Sequence, residues 1–213
     1  DEQAKHILIV MLEAADPVQS PWGKYLASCP RSFSNGLLLT DDELAILQGS
    51  PALDYLVERR EDLRHTYDAL FPKLSEAFPR ELPPEKCRWE DFAWAAAMID
   101  TRAWATEAGC DVASLVPCCD MLNHHASAQG MVKRYSAEEG AATVELLTPV
   151  EEGMQVFVYY GELTSASKLL RFGFADPDDE ADTVPFGLDM EHATEPQRQA
   201  MSVWKLCPDA QQL

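Results

Sequence analysis

Two short stretches hold the side chains best suited to chemistry. Val116-Pro117-Cys118-Cys119-Asp120-Met121-Leu122-Asn123-His124-His125 is an apolar lead-in that breaks into a polar turn. Gln155-Val156-Phe157-Val158-Tyr159-Tyr160-Gly161 is a run of β-branched and aromatic residues ending at a glycine. Asn123 offers an amide that both donates and accepts, His124 adds backbone groups, and Tyr160 supplies a phenol. Arg102 could hold an anionic ligand group or pair with Asp100 or Asp120. Each also has a structural alternative: Asn is common in polar turns, a strand tyrosine packs in cores, and Phe174 can simply fill space. Strand alternation sends Tyr159 to the face opposite Tyr160, and His125 reads as a surface neighbour.

The cysteines are Cys29, Cys87, Cys110, Cys118, Cys119 and Cys207. None forms a Cys-x-x-Cys pair, and Cys118 and Cys119 would bridge only with strain. Reduced thiols in an intracellular compartment are expected. A closed zinc site needs four converging ligands at recognisable spacing, so no metal is expected.

The elements that must position these residues can be read from spacing. Residues 3–14 put Ala4, Ile7, Leu8, Met11 and Leu12 on one helical face. Ser20-Pro21 has the form of a helix start, with Trp22, Tyr25 and Leu26 to bury. Thr40-Asp41-Asp42-Glu43 is a capping box whose helix runs to Gly49. Ser50-Pro51 opens a longer helix through Leu56, Leu63, Tyr67, Phe71 and Phe78, interrupted or kinked near Pro72. Trp89 to Trp104 forms another, closed by Gly109. Strands follow at Ser114–Val116, Met131–Tyr135 and Thr143–Leu147, then a strand buried on both faces at Met154–Tyr160. Ser165–Phe172 returns to helix, ahead of the acidic loop Asp176–Asp182, a strand at Val184–Leu188 and a helix from Thr194. The chain thus divides into a helical region, 1–109, a strand-bearing region, 110–175, and a tail, 176–213, that begins a further helical region.

Seventeen basic against 36 acidic residues give a net charge of −19, without the basic footprint of a nucleic-acid binder. Such a balance attracts Lys/Arg-rich protein segments. No apolar run approaches the ~18–20 residues of a membrane span, and Ile7 to Leu12 is far too short.

Taken in order, these motifs resemble the SET-domain methyltransferases of the Rubisco large-subunit lysine methyltransferase group. Asp91-Phe92-Ala93-Trp94-Ala95 through Asp100-Thr101-Arg102-Ala103-Trp104 is similar to that group's helix ending in a Ser-Arg-aromatic-like element. Leu115-Val116-Pro117 with Asp120-Met121-Leu122-Asn123-His124 is similar to its Asn-His motif. Gly153 to Gly161 resembles its tyrosine motif, and Leu169-Leu170-Arg171-Phe172-Gly173-Phe174 the Tyr-Gly-Phe element after it. Leu12-Glu13 and Ser20 to Leu26 resemble its helical insert.

The resemblance implies an α+β fold: a helical insert packed on a small SET β-fold in which the Asn-His segment and the tyrosine strand form a pseudoknot, an exception to unthreaded topology. It implies S-adenosylmethionine as cofactor, held by Asn123, His124, Arg102 and Phe174, with Tyr160 as the catalytic phenol. The implied acceptor is a protein lysine, and histidine acceptors occur among the relatives. Neutralising a lysine at pH 7 costs about 4.6 kcal/mol, from an unperturbed pKa of ~10.4 at ~1.36 kcal/mol per unit. Burial can remove roughly 3–5 units of that, so no strong base is needed, and Met154–Gly161 contains no His, Asp or Glu. Three departures stand out. The group's opening glycine-rich β segment has no counterpart ahead of Asp1, Phe172 stands where Tyr is common, and a full C-terminal helical domain does not fit after residue 190. The SET fold is therefore expected to be incomplete in this stretch. A catalytically silent protein-binding module is the alternative from a different class.

Overall fold

The computed structural model describes residues 2–105, 113–128, 132–136, 138, 140–146, 149–176, 182 and 194–196. Residues 1–182 form one compact unit and residues 183–213 a second. The candidate site lies in the first. The expected strand at Val184–Leu188 and most of the acidic loop lie outside the described residues.

Helix α1 (Glu2–Ala15) buries Ala4, Ile7, Val10 and Met11. These share one side of the helix because residues three and four apart stack on a common face. A short α2 (Gly23–Ser28) follows. It starts later than Ser20-Pro21 suggested, and Trp22 is about half exposed rather than buried. The N–H groups of Gln19 and Ser20 both donate to the Asp16 carbonyl, and Gly23 N–H donates to Ser20. These bonds wind residues 16–23 into turns before the helix begins. Gly23 is required there, because a Cβ would stand 1.7 Å from the Pro17 carbonyl oxygen.

Helix α3 (Asp41–Ile46) carries the expected capping box, with Thr40 and Glu43 each bonding the other's backbone N–H. Helix α4 (Pro51–Ala77) starts at the Ser50 cap as expected but runs through Pro72 as one element. Aromatic packing offsets the hydrogen bond that Pro72 removes. Phe71 is buried and stacks with Tyr67 and Phe92 at 4.7 and 5.6 Å. Helix α5 (Trp89–Arg102) is the centre of the core, with Phe92 through Met98 all buried.

Helix α5 ends at Arg102, and Trp104 lies in strand β1 (Ala103–Ala105), not in the helix. Tertiary pairing overrides the helical propensity of this Ala-rich stretch: β1 runs antiparallel to β2 (Ala113–Leu115), with Ala103 opposite Leu115. Gly109 lies outside the described residues. Strand β3 (Asn123–His124) pairs in parallel with β6 (Phe157–Val158), and β4 (Val132–Ser136) forms an antiparallel hairpin with β5 (Ala141–Glu145). Strand β6 is much shorter than Met154–Tyr160, and Met154 is exposed. The partner strand supplies only Asn123 and His124, so the ladder has nothing further to pair with.

Helix α6 (Ser165–Phe172) has the expected bounds and ends at Gly173 in the left-handed region. The α+β class expected from sequence is what is observed. Among the described residues no helix is long and apolar enough to cross a membrane.

Gly173 fixes how α6 delivers Phe172 and Phe174. Its φ is +83°, and a Cβ would come within 2.4–2.8 Å of Ser34, whose hydroxyl donates to the Gly173 carbonyl. Gly173→Ala is expected to destabilise the chain by at least about 2 kcal/mol, from left-handed strain plus a backbone clash. Urea denaturation of the two proteins measures it.

Candidate functional site

The β3–β6 ladder brings the two chemistry-bearing stretches side by side. Asn123 pairs with Phe157 and His124 with Val158. So short a ladder needs support, which comes from bonds around it. His125 N–H donates to the Val158 carbonyl at 3.1 Å. Tyr160 N–H donates to His124 Nδ1 at 3.1 Å, and the Tyr160 hydroxyl donates to the Leu122 carbonyl at 2.9 Å. A ring nitrogen that accepts carries no proton, so in the neutral ring the proton sits on Nε2. The His124 side chain is thus a clamp between strands, a role beyond the backbone contribution expected from sequence.

A cavity of about 410 Å³ opens beside this clamp, lined by Arg102, Asn123, His124, Tyr160 and Phe174 together with Asp120 and five others. Every residue singled out as catalytic or cofactor-binding therefore borders one space. Tyr159 does not border it, although its ring lies 5.4 Å from His124. His125 is exposed and packs on Phe157. Rings form one wall: Tyr160 lies 4.7 Å from Phe172 and 5.2 Å from His124, with Phe174 6.1 Å from Phe172. Burial pushes the Tyr160 phenol above its usual range, with the Asp120 carboxylate adding to the rise and Arg102 opposing it.

Sequence reasoning missed Pro30, Phe33, Thr101, Met121 and Phe172 as lining residues. Pro30 and Phe33 come from the loop after α2. That loop is pinned where Trp94 Nε1 donates to the Pro30 carbonyl at 2.9 Å and Arg31 lies over the Trp94 ring. No local motif announces such a long-range contact. Phe172 was visible as part of its motif and was passed over for its neighbour.

Asp120 is the expected partner that Arg102 takes. Its side chain is fully buried, and Oδ2 accepts from both Tyr25 Oη at 2.6 Å and Arg102 Nη1 at 3.2 Å. Arg102 also donates to the Asp120 carbonyl. Asp100, the other candidate partner of Arg102, is held instead by Arg59 at 2.6 Å. Asp120 Oδ1 and Arg102 Nε are buried and, among the described residues, have no hydrogen-bond partner. A buried polar atom left unmet costs roughly 1–3 kcal/mol. The Asp120 side chain has no exposed surface, so Asp120 borders the cavity through its backbone, whereas the Arg102 side chain is 16% exposed. Among the described residues there is no cluster of His, Cys, Asp or Glu able to hold a metal.

Burial also raises the Tyr25 phenol, helped by its bond to Asp120. Both raised phenols stay protonated in the folded chain past the point where the unfolded chain releases its tyrosine protons. Their contribution to stability is therefore complete below pH about 10 and is lost as pH climbs above it. Denaturant midpoints across that range should fall less steeply in Tyr160→Phe than in wild type.

No family model matches the chain. Over 186 aligned residues it is 27% identical to the actin-histidine N-methyltransferases of Rhinolophus ferrumequinum and Homo sapiens, covering 84% of this chain. It spans only 30% of the length of those relatives. Among solved structures, Rubisco LSMT bound to sinefungin and monomethyllysine superposes with a TM-score of 0.75 at 23% identity, covering 94% of this chain and 45% of that one. The SET domain of LSMT bound to lysine and AdoHcy gives 0.67 at 22%, covering 94% and 47%. A likeness at that level of identity speaks to architecture, and the chain shares the fold of the SET domain in those structures over the part it covers.

Proposed function

We propose that the cavity takes S-adenosylmethionine and that the chain is the SET part of a protein N-methyltransferase with lysine as acceptor. The observation that carries this reading is the convergence of Arg102, Asn123, His124, Tyr160 and Phe174 on one aromatic-walled cavity. The cofactor offers its carboxylate to Arg102, while Asn123, the backbone of His124 and Phe174 hold its nucleoside. When bound, the cofactor supplies an electrophilic methyl on its sulfonium, and the hard chemistry is its own.

The chain's residues orient and desolvate. Tyr160 gives its proton to the Leu122 carbonyl, so its oxygen faces everything else as an acceptor. That suits aligning an amine and the polarised methyl hydrogens in line. With the phenol raised by burial, it remains neutral at working pH. The rings of Tyr160, Phe172 and Phe174 exclude water, which favours the neutral form of a lysine entering beside them. The excess of acid, −19 overall, suits a basic protein segment as substrate. The free thiols Cys29, Cys87, Cys118 and Cys119 suit a reducing compartment.

A histidine acceptor is the second reading, favoured by the names of the relatives that align over 84% of the chain. An imidazole with an unperturbed pKa of ~6.5 is already largely neutral at pH 7. The lysine reading therefore expects turnover that climbs with pH from 7 to 9, and the histidine reading expects a plateau.

Calorimetric titration with S-adenosylmethionine tests the cavity, and mass spectrometry of methylated proteins tests the acceptor. Tyr160→Phe should bind the cofactor within about threefold of wild type yet lose roughly 10²-fold in turnover, the scale of a misaligned reacting pair. Undiminished turnover in Tyr160→Phe would refute its assigned role.

A further inference from the structure

We infer that a second cavity, bounded by α1, α2 and the β1–β2 pair, is a docking site for an arginine side chain of a protein partner. The inference goes beyond the cofactor reading and does not depend on what fills the first cavity.

The second cavity has a volume of about 350 Å³. Most of its lining is apolar: Leu26 is buried in the core, and Ile99 and Leu115 pack against that core. Ile9 and Trp22 also line it and are each about half exposed, so the space is open to solvent where they stand. Trp22 is fixed ahead of α2, its backbone N–H donating to Ser20 Oγ at 3.0 Å. Tyr25 supplies a second ring, and its hydroxyl is already committed to Asp120 at 2.6 Å.

One charge decides what such a space would take. Glu13 is the one acid among the described lining residues, and no Lys or Arg lines the cavity with it. It lies one helical turn beyond Ile9 on the same face of α1. The residue is half-buried and, among the described residues, has no hydrogen bond or ion pair. A neutral apolar ligand would strip water from this carboxylate and give nothing back. A cation on a long apolar stem matches both the charge and the walls, because its methylenes cover apolar surface while its head meets the acid. Arginine fits better than lysine: its planar guanidinium can fork onto a carboxylate, stacks on aromatic faces, and is more weakly hydrated than an ammonium. The net charge of −19 draws basic segments to the chain as a whole, and Glu13 is the group that would fix where one of their side chains lodges.

Two small probes separate this site from general attraction to an acidic surface. N-acetyl-arginine amide carries the guanidinium, and N-acetyl-citrulline amide is its neutral isostere. Each is titrated into the full chain and followed through the Trp22 indole signal in heteronuclear NMR spectra. The arginine probe should move that signal saturably and bind at least about fivefold more tightly than the citrulline probe, as expected for a charge-assisted bond. Glu13→Gln should bring the arginine probe down to the citrulline level. Glu81→Gln removes an equal charge from an exposed position outside the lining, and should leave binding within about twofold. Equal binding of the two probes, equal effects of the two substitutions, or a Trp22 signal that does not move overturns the inference. Saturable arginine binding in a chain that takes no S-adenosylmethionine would sink the cofactor reading and leave this site standing.

Discussion

The structure depends on a parallel contact between two very short strands, Asn123–His124 and Phe157–Val158. A ladder that short is marginal in water. It persists because the side chains at its end close the same gap as the backbone. Tyr160 gives both its N–H and its O–H to the opposite segment, one to a ring nitrogen and one to a carbonyl. Val158 is completely buried beneath the contact, which shields these bonds from competing water. Tyr160 is thus the clasp that holds the cavity wall in place. Removing its hydroxyl alone loses one of the two bonds, so the backbone N–H to His124 remains to keep the wall in register.

The helical region is part of this arrangement. Helix α5 ends in Arg102, the loop after α2 brings Pro30 and Phe33, and α2 itself brings the phenol behind Asp120. The buried carboxylate is what makes these parts interdependent. Removing one partner of a buried charge leaves the other uncompensated, so α2, α5 and the Asp120 turn must be in place together. Cys118, just ahead of that turn, takes φ of +73°, an uncommon conformation for a residue with a Cβ. The same turn directs Asp120 inward and places Met121 on the cavity rim.

Much of this was legible from local signals. The capping box at Thr40, the Ser50-Pro51 start and both bounds of α6 follow from short-range chemistry, and each stands where sequence put it. The grouping of Arg102, Asn123, His124, Tyr160 and Phe174 around one space followed from ordered motifs. What sequence could not supply were choices made by distant partners. The end of α5 at Arg102 is decided by β2, and the brevity of β6 by how little of β3 is there to pair with. Asp120 stood only as one of two possible partners for Arg102, because nothing near it in sequence reveals that Tyr25 converges on the same oxygen.

The charge arithmetic of the cavity bears on how a sulfonium would be received there. Asp120 and Arg102 cancel, and the amino-acid end of the cofactor is itself neutral as a zwitterion. A sulfonium would therefore have no exposed carboxylate to meet among the described lining residues. What faces it instead are rings, Tyr160, Phe172 and Phe174, whose negative faces attract a cation by about 0.5–2 kcal/mol without forming a contact ion pair. A carboxylate against the sulfonium would stabilise the donor more than the transition state, in which that positive charge is dispersing, and would slow transfer. An aromatic wall would hold the sulfonium loosely, and the sulfonium's own charge would disfavour a second cation, a protonated amine, beside it. Among the described lining residues the one acid, Asp120, is withdrawn from the cavity by Tyr25 and Arg102, which leaves the rings as the surface that a cation there would meet.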